Sequence, residues 1–322
     1  MLNTREALMK KRTFLYFVLG LAFTLPSVFG QQPEPKQKVR TVTIPISIFT
    51  KKELKENQAE ESVQADRLIV KEDKDDQQIL SIRSVTATPL SIAVVIQDDL
   101  TSNFNLQLKD IQDFIRKLPP GTRVMVAYLR SGSPQIRQRF TDDLDKAATS
   151  LRIVAGSASA APRSPYDGIE DILGRFDAVP TGRRAILLFS DGLDTNQGLS
   201  LSAITQSLDL DRAALKAQRK GVALYSFYSP TTLTDNGNST VVLGAQSSLQ
   251  KLADETGGRA FFQGSIAPIS YIPFFKELVI ALNRQFSLTY LSTHMNKGYH
   301  KVEVNSTNPE VKIEHPKGYY YR

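Results

Sequence analysis

Two apolar runs that break off into acidic residues set the strongest limit on what this chain can become. Ile92-Ala93-Val94-Val95-Ile96 is followed by Gln97-Asp98-Asp99-Leu100-Thr101-Ser102. Ala185-Ile186-Leu187-Leu188-Phe189 is followed by Ser190-Asp191-Gly192-Leu193-Asp194-Thr195. A short run of β-branched and large apolar residues bounded by a turn signal reads as a strand buried on both faces. Such strands belong to parallel sheets covered by helices, and ligands of open α/β sheets sit beyond the carboxyl ends of the strands. That position here holds Asp98, Asp99, Asp191 and Asp194. Clustered carboxylates repel unless a cation, a guanidinium or a shared proton offsets them, so this cluster is the place to look for function.

The ends of the chain point to export. Lys10, Lys11 and Arg12 precede an apolar run from Phe14 to Phe23, and small residues at Ser27 and Gly30 flank a cleavage point before Gln31. This is the pattern of a signal peptide over residues 1–30. The run is too short, and too soon interrupted by Pro26, for a membrane span of about 20 apolar residues. No later stretch is long enough either, so no stable span is expected after cleavage. The chain has no cysteine, hence no disulfide and no thiolate metal site. A periplasmic, cell-envelope or secreted location is expected.

The formal charge of +7 includes +3 from residues 1–30 (Arg5, Lys10, Lys11 and Arg12 against Glu6), which leaves +4 for the remainder. Those basic residues are spread along the chain and are not interleaved with aromatics, which argues against a nucleic-acid partner.

Residues 31–88 read as a linker followed by a small β-module. Period-two alternation appears at Val42 to Ile48, Arg67 to Val70 and Ile79 to Ile82, with a polar stretch from Lys51 to Asp66 that reads as a loop or a short surface helix. Residues 89–283 alternate strands and helices. Ile111, Phe114, Ile115 and Leu118 share one helical face, and Arg123 to Leu129 is a strand with an edge partner over Gln135 to Phe140. Thr141 is the expected cap of a short helix carrying Leu144, Ala148 and Leu151, and Pro165 opens a helix through Phe176. A helix over Leu210 to Lys220 and a strand over Val222 to Tyr228 follow. A polar excursion from Thr231 to Thr240 precedes a helix over Ser247 to Thr256, a strand over Arg259 to Phe262 and a long helix over Ile269 to Arg284. Residues 284–322 return to period two at Phe286 to Leu291, Tyr299 to Val304 and Val311 to Glu314, and Tyr319-Tyr320-Tyr321 reads as a terminal strand. The two flanking β segments are expected to form one sandwich-like module.

The central segment resembles a von Willebrand factor A-type domain, specifically a bacterial exported branch. The resemblance covers about Leu90 to Leu282 and rests on the Pro89–Ile96 strand, on Ser164-Pro165-Tyr166-Asp167-Gly168-Ile169, and above all on Arg183-Arg184-Ala185-Ile186-Leu187-Leu188-Phe189-Ser190-Asp191-Gly192. It implies a doubly wound, mostly parallel six-stranded sheet of order 3-2-1-4-5-6 with strand 3 antiparallel. It also implies a binding role and often a divalent cation, Mg²⁺ or Ca²⁺, that bridges to a partner's carboxylate. The family's metal site takes Asp-x-Ser-x-Ser after the first strand, a Thr in the second loop and an Asp after the fourth strand. Here Gln97 stands at the first Asp, with Asp99 and Thr101 at the Ser positions. A shift by one residue recovers Asp98 and Ser102 but places Leu100 at the middle ligand. The Thr position, beside Ser164, falls on Arg163, and Asp191 alone matches without adjustment.

The candidate metal or ligand residues are therefore Asp98, Asp99, Thr101, Ser102, Ser164 and Asp191, with Arg163 as a guanidinium that can stand where the cation would. The competing reading is that the aspartates cap helices and turns. The functional expectation is an exported protein-binding or adhesion module with an unnamed protein partner. The alternative is a metal-dependent, phosphatase-like hydrolase using the strand-end aspartates, which would put a haloacid-dehalogenase-type nucleophile at Asp98. His294, His300 and His315 lie in the β tail, away from the acidic cluster, and read as surface or strand residues; no catalytic motif is present.

Overall fold

The structure is a computed structural model and describes residues 38–52, 68–156, 163–196, 198, 206–235 and 238–321. The expected signal peptide lies outside them, as does nearly all of the polar stretch from Lys51 to Asp66 that reads as a loop or short surface helix. The chain divides into two units, Met1–Lys38 and Val39–Arg322. The second contains every described strand and helix.

Alternation of apolar and polar residues makes strands of Arg40–Thr50 (β1), Leu68–Glu72 (β2) and Asp75–Ser84 (β3). The β2–β3 turn is made by Asp73 and Lys74, both with positive φ, the geometry whose twist suits a two-residue hairpin. The central domain then runs Leu90–Gln97 (β4), Leu108–Arg116 (α1), Arg123–Arg130 (β5), Ser133–Thr141 (β6) and Leu144–Thr149 (α2). It continues with Pro165–Arg175 (α3), Arg183–Ser190 (β7), Leu208–Lys220 (α4), Val222–Tyr228 (β8), Ser239–Thr256 (α5), Arg259–Phe261 (β9) and Ile272–Asn283 (α6). Four strands close the chain: Gln285–Ser292 (β10), Gly298–Ser306 (β11), Val311–Glu314 (β12) and Gly318–Tyr321 (β13).

The central sheet has the order β6-β5-β4-β7-β8-β9. Only β6 is antiparallel. This is the expected 3-2-1-4-5-6 arrangement, with the two acid-terminated strands β4 and β7 adjacent and Ile96 opposite Phe189. Both faces are buried, which explains why these strands are uniformly apolar. Ile92, Val94 and Ile96 join α1, α2 and α6 on one side. Ala93 and Val95 join α3, α4 and α5 on the other. Each large side chain removed from water here contributes roughly 1.5–3 kcal/mol.

The flanking segments do associate, but as one sheet and not as a sandwich. The order is β12-β1-β10-β3-β2-β11-β13, every pairing being antiparallel. The sheet curls so that its inner face closes on a single cluster that includes Val42, Ile44, Ile46, Val70, Leu288, Tyr290, Val302 and Val304. One curled sheet is enough because β1 and β10 supply a continuous apolar face from opposite ends of the chain.

Local boundaries moved where a better cap was available. Asp143, not Thr141, caps α2 by accepting from the Lys146 N–H at 2.9 Å, while the Thr141 hydroxyl accepts from the Asp143 N–H at 3.2 Å. Helix α5 starts at Ser239, because Asn238 caps it by accepting from the Thr240 and Val241 N–H groups; the polar excursion is correspondingly shorter. Helix α6 starts at Ile272.

Candidate functional site

Strands β4 and β7 deliver their acidic ends to the same edge of the sheet. Gln97 joins them. Its Oε1 accepts from the Ser190 hydroxyl at 2.5 Å and from the Asp191 N–H at 3.2 Å, and its Nε2 donates to Asp99 Oδ1 at 2.9 Å. A carboxylate at position 97 could accept but not donate, and it would face Asp99 with like charge. The amide therefore suits an edge in which the neighbouring acids are held by protein groups.

Those groups are arginines. Arg163 is 3% exposed, and its Nη2 lies 2.9 Å from Asp99 Oδ2 and donates to Asp191 Oδ2 at 3.4 Å. The approach to Asp99 is an ion pair whose angle falls short of a hydrogen bond. The backbone of Arg163 is fixed by Thr195, whose N–H and hydroxyl both donate to Arg163 O, at 2.8 and 3.1 Å. The Arg163 N–H in turn donates to Thr195 Oγ1 at 2.9 Å. Asp191 is fully buried. Its Oδ1 accepts from the Leu193 N–H at 3.0 Å and its Oδ2 from the Thr231 hydroxyl at 2.7 Å. Burial pushes the Asp191 carboxyl up from its ordinary range, and Asp99 adds to the rise; Arg163, the Leu193 N–H and the Thr231 hydroxyl pull against it without cancelling it.

Asp98 turns away from this group. Both its oxygens receive the guanidinium of Arg152, at 2.7 and 2.9 Å. Arg152 is itself stacked on the Tyr128 ring, 4.2 Å from its centroid. The nucleophile of the hydrolase alternative is thus held in a two-point fork. Asp194, on the same loop as Asp191, accepts from the Ser207 hydroxyl and from the Asn196 N–H, the latter at 3.0 Å. It serves the start of α4, where Ser207 accepts from the Leu210 N–H at 3.1 Å.

The remaining candidates divide. Thr101 precedes a short 3-10 helix, Ser102–Gln107, without capping it through its side chain, and Ser102 is exposed. Ser164 is buried beside Arg163, and its hydroxyl makes no hydrogen bond among the described residues. The structure therefore brings Asp99, Asp191 and Arg163 together, adds Gln97 and Thr231, leaves Ser164 as the chain neighbour of Arg163, and separates Asp98. A divalent cation at this edge would share Asp99 and Asp191 with a fixed buried positive charge, which its affinity would not survive. The donor set fits a guanidinium and does not fit Mg²⁺ or Ca²⁺.

Arg152 and Thr231 escaped sequence reasoning. Arg152 sits in Leu151-Arg152-Ile153-Val154, which carries no local signal of a salt bridge, and Thr231 lies in a polar loop. Only the fold brings either residue to an aspartate.

No protein-family profile and no curated protein matches the chain. Solved structures do resemble it. An aerotolerance-related membrane protein from Bacteroides fragilis is 14% identical over 60% of this chain and 98% of its own, with a TM-score of 0.44. BatB from Bacteroides thetaiotaomicron is 12% identical over 60% of this chain and 96% of its own, at 0.42. A von Willebrand factor type A protein from Catenulispora acidiphila is 10% identical over 80% of this chain and 75% of its own, at 0.41. The sheet order, the single antiparallel edge and the helices on both faces are the arrangement that the resemblance to a von Willebrand factor A-type domain implies.

Proposed function

We propose that the protein is an exported, non-enzymatic protein-binding module that engages its partner at the carboxyl edge of the central sheet without a bridging cation. One observation carries the reading: the carboxylates at that edge are held from within by Arg152 and Arg163, while the loops and helix starts around them display apolar side chains. Leu106 is 79% exposed and Ile269 83%. Ile153, Leu208 in the first turn of α4 and Leu243 near the start of α5 are also exposed. Four of them follow the carboxyl ends of parallel strands or open the returning helices, and Ile153 is carried to the same end by its neighbours Arg152 and Ala155, which bond to Asp98. Exposed apolar side chains concentrated around a neutralised polar centre favour protein contact over cation or substrate chemistry.

Among the described residues no helix is long and apolar enough to cross a membrane. Export rests on the residue 1–30 pattern, and adhesion is one form that such binding can take.

The test is affinity capture from a cell-envelope extract, comparing the unaltered chain with Leu106→Asp/Ile153→Asp and with a control, Leu80→Asp, on the separate curled sheet. Capture lost only in the first variant supports the reading. Equal capture by all three refutes it, as does Mg²⁺-dependent turnover of a phosphate ester that Asp98→Asn abolishes.

A further inference from the structure

Arg137 and Arg139 on β6 mark a second surface, at the amino end of the central sheet and opposite the carboxyl edge. Strand β6 is the free edge of that sheet, with β5 as its one partner among the described residues. Their pairing is interrupted twice. Val126 faces Gln138 and Ala127 faces Ile136, which leaves Arg137 as an extra residue. Val124 faces Thr141, so Arg139 and Phe140 together oppose Met125. Bulges of this kind twist an edge strand and re-aim its side chains.

The side chains line a groove of about 1110 Å³. Its floor is apolar, with Met125 and Val179 buried and Ile136 and Phe140 half-buried. Phe140 is fixed there by edge-on packing against Phe176, with ring centroids 5.0 Å apart. The rim is basic. Arg137 and Arg139 come from β6, Arg123 from the start of β5 and Arg175 from the last turn of α3. None of these four has an ion-pair partner among the described residues. Arg116, Arg152, Arg163, Arg212 and Arg259 of the same domain are all ion-paired. The lone carboxylate of the lining, Asp177, is taken by Lys220, whose Nζ donates to Oδ2 at 2.6 Å. Four like charges around one concavity repel each other and focus their field in it, and an anionic ligand relieves that repulsion.

Edge protection explains part of this arrangement. Charges and bulges on an open edge deter another strand from pairing with it. That accounts for Arg137 and Arg139 but not for Arg123 on an interior strand or Arg175 on a helix. It also argues against a second copy of this chain as the occupant, because a symmetric edge-to-edge contact would set the β6 arginines of the two copies against each other.

The chemistry of the lining selects the occupant. All four cations are arginine, whose planar fork suits bidentate contact with carboxylates. Arg137 and Arg139 are two residues apart on a strand, roughly 6–7 Å, which is also the spacing of alternate side chains along an extended peptide. The groove exceeds the roughly 300–1,000 Å³ of small-molecule sites, and its apolar floor offers nothing to a uniformly charged polyanion. We propose that this groove docks an extended acidic segment of a partner polypeptide, with its carboxylates on the arginine rim and its apolar side chains on Ile136 and Phe140. This surface is separate from the carboxyl edge and does not depend on the reading given for that edge.

The test is fluorescence anisotropy of the purified chain with the fluorescein-labelled peptide Glu-Leu-Glu-Val-Glu-Leu-Glu. Binding that weakens as salt is raised is expected, and no binding of the peptide with Lys in place of every Glu. Arg137→Glu/Arg139→Glu should lower the affinity at least roughly tenfold, and Arg175→Glu, on a different element, should do so independently. These positions are exposed, so the melting temperature should hold in both variants. Arg137→Lys/Arg139→Lys keeps the charge but loses the forks, and its affinity should fall in between. Leu106→Asp/Ile153→Asp, at the opposite end of the domain, should bind the peptide as the unaltered chain does, which separates this outcome from that of the carboxyl-edge test. The proposal is overturned if the acidic peptide does not bind, or if folded charge-reversal variants of both elements keep the unaltered affinity. It is also overturned if polyphosphate or phosphatidylglycerol vesicles bind more tightly than the peptide with the same dependence on the arginines.

Discussion

The guanidinium of Arg163 stands between Asp99 and Asp191, its Nη2 2.9 Å from one carboxylate and 3.4 Å from the other, in a site almost closed to solvent. The resemblance to a von Willebrand factor A-type domain puts this arginine at the threonine of that family's metal site, and here its guanidinium bridges the two carboxylates. Removing one partner of a buried ion pair leaves an uncompensated charge, at a cost of about 3 kcal/mol. Arg163→Thr should therefore melt well below the unaltered chain in the absence of metal. It also frees two carboxylates and adds a hydroxyl, so Mg²⁺ should restore part of the stability by mass action. Thermal melts of both proteins with and without Mg²⁺ decide it: a strong Mg²⁺ response in the unaltered chain that vanishes in Asp191→Ala would sink the guanidinium account.

Asp98 and Arg152 make the more exposed of the two arrangements, with Arg152 about a third accessible. Asp98→Asn should cost only about 1 kcal/mol, because solvent screens the pair and Arg152 keeps its stacking on Tyr128. Urea unfolding at low and high salt measures this. A loss that does not shrink with salt would show that the pair does more than neutralise charge.

Gly192 follows Asp191 with φ +73°, and a Cβ there would meet Leu249 Cγ at 2.5 Å and Ala245 O at 2.6 Å. The carbonyl belongs to helix α5 and cannot step aside. Gly192→Ala combines backbone strain with overpacking and should destabilise by about 2–4 kcal/mol. Denaturant midpoints check this; a change under about 0.5 kcal/mol would mean the loop relaxes freely.

His315 supplies a pH dependence. Its Nδ1 lies 2.9 Å from Pro316 O and must donate, while its Nε2 accepts from the Val304 N–H at 3.2 Å. Protonation would set one N–H against another. Burial, the largest influence, lowers its pKa below the ordinary value near 6.5, although the hydrogen bond to Pro316 O raises it. For a base with a lowered folded pKa, the contribution to stability is complete above the unfolded value and is lost as the pH falls through the folded one. Stability should decline between about pH 7 and pH 5, and the decline should be smaller in His315→Gln, whose amide oxygen can still accept from Val304 and does not titrate. Parallel slopes for the two proteins over that range would refute the assignment.

The central fold was legible because its signals are local. Ile92–Ile96 and Ala185–Phe189 are apolar on both sides of the strand, which only a sheet covered on both faces can satisfy, and Pro165, Pro119-Pro120-Gly121 and Gly257-Gly258 punctuate helices wherever the backbone requires it. The alternation in Val42–Ile48 and Phe286–Leu291 identified strands and their common module. It could not say that β1 and β10 pair with each other inside one curled sheet, because period two fixes a face and not a partner. The sequence likewise placed Asp99, Asp191 and Arg163 near one sheet edge. That Arg163 holds both acids, that Arg152 removes Asp98 from them, and that Glu72 meets His294 and His300 were decided only by tertiary structure. Charged side chains carry no periodicity of their own: an ion pair between residues far apart in sequence is specified by where the apolar core sets their backbones, and a histidine in a strand looks the same in sequence whether it faces water or a buried glutamate.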